Sequence, residues 1–169
     1  PDYLQKFIPV AAGMAGGSSD AAAVMVGMNR IFNLGIKQSR LMELGLKIGA
    51  DVPFCIMRGT ALAEGIGEKL TPLPPMPKSP VLIAKPAVSV STKRVYEQLH
   101  LTEMTEHPDI DLIAENLKKK NLKGIAENMG NILETVTIKE FPVIREIKKL
   151  MKENGALGAM MTGSGPTVF

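Results

Sequence analysis

The chain has 169 residues, 45% of them hydrophobic and 22% charged, an ordinary globular composition long enough for one large domain or two small ones. Its net charge of +3 comes from 20 basic and 17 acidic residues scattered along the sequence, with 4% aromatics and no Trp, so it offers neither the basic block nor the stacking platform that nucleic-acid binding uses. No run approaches the roughly 18 apolar residues of a membrane span, and a single cysteine, Cys55, cannot form an intramolecular disulfide, which suits a reducing cytoplasm.

"YLQKFIPV" has the alternation of a strand closed by Pro9, and it leads through the small-residue stretch "PVAAGMAGGSSDAAA" into a helix expected from Ser19 to Asn33. A second helix is signalled by Ser39 as N-cap, with Leu41, Leu44 and Ile48 on one face and Gly49 as the stop. "GADVP" then sets Asp51 in a turn, because Pro53 biases Val52 to an extended conformation. "VPFCIMRGTALAEGIGEKLTPL" reads as two strands, the first apolar, with Cys55 as core filler, and the second interrupted at Gly65 and Gly67. "TPLPPMPKSP" is the proline-rich segment that marks a domain boundary, predicting domains over 1–70 and 71–169. Beyond it "PVLIAKP" reads as a buried strand and "STKRVYEQL" as a short helix capped by Ser91 or Thr92. Helices are expected over Leu112–Lys119, Leu122–Thr135 and Pro142–Asn154, with "LKKKNLK" as a solvated helix end, and "ALGAMMTGSGPTVF" closes as two strands about a glycine turn. A chain that opens without Met and stops in a strand reads as a fragment.

The stretch from Pro9 to Ala23 has a plain reading, a turn feeding an Ala-rich helix with Ser18 or Ser19 as N-cap. It also has a chemical one. Small residues let the backbone approach an anion, and the free N–H groups and positive dipole end of the helix hold a phosphate. Neither the Walker lysine pattern nor the dinucleotide pattern is present, so a phosphate site here is of a third kind. His100 and His107 have no metal-ligand spacing, and the eleven methionines read as core filler.

The order strand, Pro9, small-residue loop, Ser18-Ser19, Ala-rich helix, then "LGLKIGADVPF", "GTALAEGIGE", "KPAVSVST" and "GSGPTVF" resembles the GHMP kinase superfamily over nearly the whole chain. That resemblance implies an α+β fold of two domains, a partial N-terminal domain like ribosomal protein S5 and a ferredoxin-like C-terminal domain. It implies ATP and Mg²⁺ as cofactors. Pro9, Val10, Ala11, Ala12, Gly13, Met14, Ala15, Gly16, Gly17, Ser18 and Ser19 resemble the ATP loop, and Lys6 resembles a residue near the nucleotide. Ala11, Ala12 and Ala15 replace the glycines of the richest family form, so these three are expected to avoid left-handed backbone angles. Ser18 or Ser19 is expected to reach Mg²⁺ through its hydroxyl.

By the same resemblance Asp51 is the catalytic aspartate, although an aspartate before Val-Pro is also an ordinary turn former. Thr92 resembles a substrate-contacting threonine, with helix N-cap as its plain alternative, and "TGSGP" (Thr162–Pro166) resembles the glycine turn that supports the phosphate loop, or else a simple hairpin turn. The family's early lysine and base-stacking residues are, by this resemblance, expected upstream of Pro1. "GGSSDAAA" and "GADVPF" favour the branch that phosphorylates the 2-hydroxyl of a cytidine-diphosphate methylerythritol on the non-mevalonate route to isoprenoid precursors. Kinases of homoserine, mevalonate or sugars share the loop and the aspartate, and a non-catalytic ligand sensor would keep the loop alone. Small-molecule partners are thus expected, without nucleic acid or membrane, and the oligomeric state is left open.

Overall fold

The computed structural model describes residues 8–9, 11–100 and 107–169. They form an α+β chain divided into two compact units, one continuous over Ala15–Met76 and the other made of Pro77–Phe169 with the residues that precede Ala15. The division at Pro77 falls inside the proline-rich connection. The division at Ala15 differs from a single cut near residue 70, because the start of the small-residue loop groups with the later unit.

The unit Ala15–Met76 holds α1 (Gly16–Ile31), α2 (Gln38–Leu46), α3 (Val52–Met57) and the strands β1 (Thr60–Glu64) and β2 (Lys69–Leu73). Its core is Ala22 of α1, Leu41 of α2, and Val52 and Ile56 of α3, with Cys55 packed alongside. The close approach of α2 to α3 needs Gly45, since a Cβ there would lie 2.7 Å from Val52 Cγ1. α2 begins one residue before Ser39, with Lys37 at the N-cap, and it ends before Ile48, which is exposed and not part of the buried face.

"VPFCIM" is a helix and not the first of two strands. An apolar run of six fits either element by composition, and what decides it is Pro53 in the first turn and the buried pair Val52 and Ile56, one helical turn apart. The two strands that do form are antiparallel, with Thr60 opposite Leu73 and Glu64 opposite Lys69. Gly65 and Gly67, at φ 71° and 109°, make the turn between them and do not break the second strand.

The other unit contains α4 (Thr92–Glu97), α5 (Ile110–Lys118), α6 (Leu122–Asn128), α7 (Glu134–Glu140) and α8 (Val143–Glu153). Three of these start on a side-chain cap: Ser91 accepts the Arg94 N–H, Asp109 the Leu112 N–H and Asn121 the Gly124 N–H. The single helix expected over Leu122–Thr135 is two, because Met129 turns extended at ψ 137° ahead of Gly130. α8 starts behind Pro142, stops before Gly155 and buries Ile144 and Met151 on one stripe. Ile144 is fully buried, which stabilises the unit by about 1.5–3 kcal/mol over an exposed side chain.

That stripe packs on Val90, Val95, Leu133, Met161 and Val168. Val168 forms antiparallel bridges to Met161 on one side and Ala84 on the other, so the closing segment does double back about its glycine turn. The buried strand expected at "PVLIAKP" is reduced to the bridge at Ala84; Val81, Leu82 and Ile83 are 57–69% exposed. Among the described residues β1 and β2 are the only extended ladder.

Candidate nucleotide and phosphoryl-transfer site

Neither Ser18 nor Ser19 caps α1. The N-cap is Ala15, left-handed at φ 49°, which has no side-chain oxygen to offer. The first helical bond runs from the Ser19 N–H to the Ala15 carbonyl at 2.9 Å, and the Ser19 hydroxyl donates to the Gly16 carbonyl at 2.9 Å. The N–H groups of Gly16, Gly17 and Ser18 therefore precede the helical ladder, at the positive end of a sixteen-residue helix. Gly17 is exposed, and a Cβ built on it would meet nothing within 4 Å, so the space beside the second residue of α1 is open.

The Gly49–Asp51 turn lies beside this helix start, since a Cβ on Gly49 would sit 3.9 Å from Ser18 Oγ. The β1–β2 turn backs it, with Gly67 close enough that its Cβ would be 3.4 Å from the Ala50 carbonyl oxygen. Asp51 is exposed and precedes α3 at φ −85° and ψ −11°, a right-handed helical conformation, and its carboxylate makes no capping bond. Its backbone carbonyl accepts the Cys55 N–H at 3.1 Å. Burial, with the Asp51 charge as a smaller contribution, pushes the Cys55 thiol up from its ordinary value, which keeps it protonated and chemically quiet at neutral pH.

The earlier half of the loop, up to Met14, is held within the other unit. Ala11 is left-handed at φ 52°, as Ala15 is at φ 49°, so two of the three alanines expected to avoid that region occupy it; Ala12 is buried and does not. Each such alanine costs about 1–2 kcal/mol relative to the right-handed form, a strain that the contacts around the loop offset. Those contacts centre on Gly13. Its carbonyl accepts the Thr162 hydroxyl at 2.9 Å, and a Cβ on it would fall 2.3 Å from the Thr162 carbonyl oxygen. Only glycine fits there. The Thr162–Pro166 turn thus carries the loop backbone, and its Ser164 hydroxyl lies 2.8 Å from that of Thr92, the first residue of α4.

Pro9 is exposed at the loop entrance, while Lys6 and Val10 lie outside the described residues. Sequence reasoning missed Asn131 and Glu134, whose side chains bond the backbone of Met161 and Gly163, on either side of Thr162, from about 30 residues away, a separation at which no local signal exists. Among the described residues no three His, Cys, Asp or Glu side chains are grouped to hold a metal ion, and no helix is long and apolar enough to cross a membrane.

Two family models match, "GHMP kinases N terminal domain" over residues 3–59 and "GHMP kinases C terminal" over residues 113–169. The chain belongs to the GHMP kinase family. The two models place its small-residue loop and Asp51 in the N-terminal domain and its Thr162–Pro166 turn in the C-terminal one. Over 166 residues this GHMP kinase chain is 64% identical to a 4-diphosphocytidyl-2-C-methyl-D-erythritol kinase of Lachnospira eligens, and it is 58% identical to one of Lachnoclostridium phytofermentans, in each case over 98% of its own length. It spans 58% and 57% of those two relatives. A crystal structure of 4-(cytidine 5'-diphospho)-2C-methyl-D-erythritol kinase matches 97% of the chain and 58% of its own length, with a TM-score of 0.81 at 32% identity. The homoserine kinase of Cytophaga hutchinsonii shares the fold, with a TM-score of 0.79 at 20% identity over 96% of the chain and 57% of its own.

Proposed function

We propose that the complete polypeptide transfers the γ-phosphoryl group of ATP to the 2-hydroxyl of 4-diphosphocytidyl-2-C-methyl-D-erythritol. The observation that carries this reading is the open start of α1 beside a carboxylate that is engaged in no cap. The high identity to kinases of that name supports the choice of acceptor. The nucleotide-binding domain then runs up to the proline-rich connection and the C-terminal domain follows it, with the loop residues before Ala15 assigned to the first although they group with the later unit.

In this mechanism the N–H groups of Gly16, Gly17 and Ser18 donate to phosphate oxygens, and the residues from Pro9 to Ala15, with Lys6 and Val10, shape the rest of the nucleotide site. The acceptor hydroxyl attacks the γ-phosphorus as the bond to the ADP oxygen breaks, and Asp51 orients that hydroxyl and takes its proton. Mg²⁺ would neutralise charge on the transferring phosphates, and the Ser19 Oγ, which donates to the Gly16 carbonyl, would keep lone pairs with which to hold it. Thr92 would contact the acceptor. The motif placement of Asp51 next to the helix start favours catalysis over a ligand sensor.

Rates with the cytidine-linked methylerythritol, homoserine, mevalonate and galactose, measured side by side with ATP and Mg²⁺ on the complete polypeptide, test the proposal. The cytidine-linked acceptor should be far faster, because binding energy from the remote cytidine places the reacting hydroxyl. Equal or better rates with any other acceptor would move the protein to another branch, and no transfer to any of them would make it a sensor.

A further inference from the structure

The turn that carries Gly13 is held at its first residues by the chain that leads into α7, while Thr137 and Thr92 bond Ser164 further along it. Asn131 Nδ2 donates to the Met161 carbonyl at 2.8 Å and to the Gly163 carbonyl at 2.7 Å, the two carbonyls that flank Thr162. Its Oδ1 accepts the Leu133 N–H at 3.0 Å, so the amide cannot turn without losing three bonds. Glu134 Oε1 accepts the Met161 N–H at 2.7 Å, and Glu134 Oε2 pairs with Lys148 of α8. Both backbone polar groups of Met161 are thus fixed by side chains from one turn of chain. Thr162 follows Met161 directly, and its hydroxyl points at the Gly13 carbonyl.

Resting on the kinase reading, we infer that Asn131 and Glu134 are positioning residues for the nucleotide loop: they set the direction of the Thr162 hydroxyl, and through it the path of the backbone from Ala11 to Met14. They touch no substrate. Their effect is to hold in register a strained segment whose left-handed Ala11 would otherwise relax. A structural role alone, tying α7 to α8 and to the last residues of the chain, would change stability without a preference for one substrate.

Steady-state kinetics on the complete polypeptide separate the two. Asn131→Ala should raise KM for ATP about tenfold, a loss equivalent to one or two hydrogen bonds, while kcat at saturating ATP and KM for the acceptor stay within about twofold. Thr162→Val, which keeps the shape and removes the hydroxyl, should do the same, and Thr162→Ser should restore the wild-type value. Should Asn131→Ala not fold, Asn131→Ser, which retains an oxygen for the Leu133 N–H, carries the same expectation. An unchanged KM for ATP in a folded Asn131 variant or in Thr162→Val overturns the inference. A wild-type protein that neither binds ATP nor turns it over overturns the kinase reading instead, an outcome distinct from a KM that fails to move.

Discussion

Asp51 and Asp109 stand at the same place relative to a helix, the residue just before its first turn, yet their carboxylates have different work. Asp109, at ψ 93°, has the extended backbone of an ordinary N-cap, and its Oδ1 accepts the Leu112 N–H at 2.9 Å. Asp51, at ψ −11°, already has helical backbone, so its carboxylate cannot fold back onto the amides it precedes and faces solvent next to the start of α1. One unit uses an acid to finish a helix. The other keeps an acid out of its helix and, at Ala15, starts a longer helix with no cap at all. Where free N–H groups and a free carboxylate are the working parts, local stability is given up to leave them available.

The sharpest way to break this contrast is to remove each acid. Asp51→Asn should lower turnover by about 10²-fold or more while leaving ATP affinity and thermal stability nearly unchanged, since no cap is lost. Kinetics with a parallel melting curve would show it, and near wild-type turnover would end the assignment. Gly17→Val should abolish ATP binding in a calorimetric titration, because the β-branched side chain would fill the space over the open amides; the melting temperature should hold, since nothing lies within 4 Å of the new Cβ.

Asp109→Ala is the mirror image, with about 1 kcal/mol of stability lost by denaturant titration and no change in KM or kcat. Ala15→Gly should stabilise the protein by up to about 1 kcal/mol by relieving the left-handed alanine; a loss of stability would mean that the φ of 49° is not strained in this setting. The smallest effect is on Cys55. Because the Asp51 charge helps to hold its thiol up, Asp51→Asn should lower that pKa, raise the thiolate fraction at a given alkaline pH and modestly speed alkylation by iodoacetamide. An unaltered pH profile for that reaction would mean burial alone sets the thiol.

Much of this was legible in the sequence because it is carried by local rules. The helix after the small-residue loop, the proline-rich connection, the Ser91 cap and the limits of α8 all follow from residues within a few positions of the feature they set. What was not legible depends on partners far along the chain. "VPFCIM" fits a strand by composition and becomes a helix because Val52 and Ile56 must both reach Leu41 and Ala22. "PVLI" looks like a core strand, but only Ala84 finds a bridge partner, at Val168. The left-handed angles of Ala11 and Ala15 run against local propensity and belong to the candidate site, where local rules are expected to give way. Asn131 and Glu134 act on backbone groups that any sequence would supply, so their partners could not be named before the fold was known.

The bond between Thr162 and Gly13 joins residues 149 positions apart. A ribosome adding roughly 5–20 residues per second makes the second of them about 7–30 s after the first. Ala15–Met76 is continuous and can collapse on its own core as soon as it emerges, whereas the segment around Gly13 has no backing until the Thr162–Pro166 turn is translated. Every nascent copy therefore carries a finished helix start with an unfinished loop in front of it until Thr162 emerges, and a message that stops short of the Thr162 codon yields a chain that can never lock that loop.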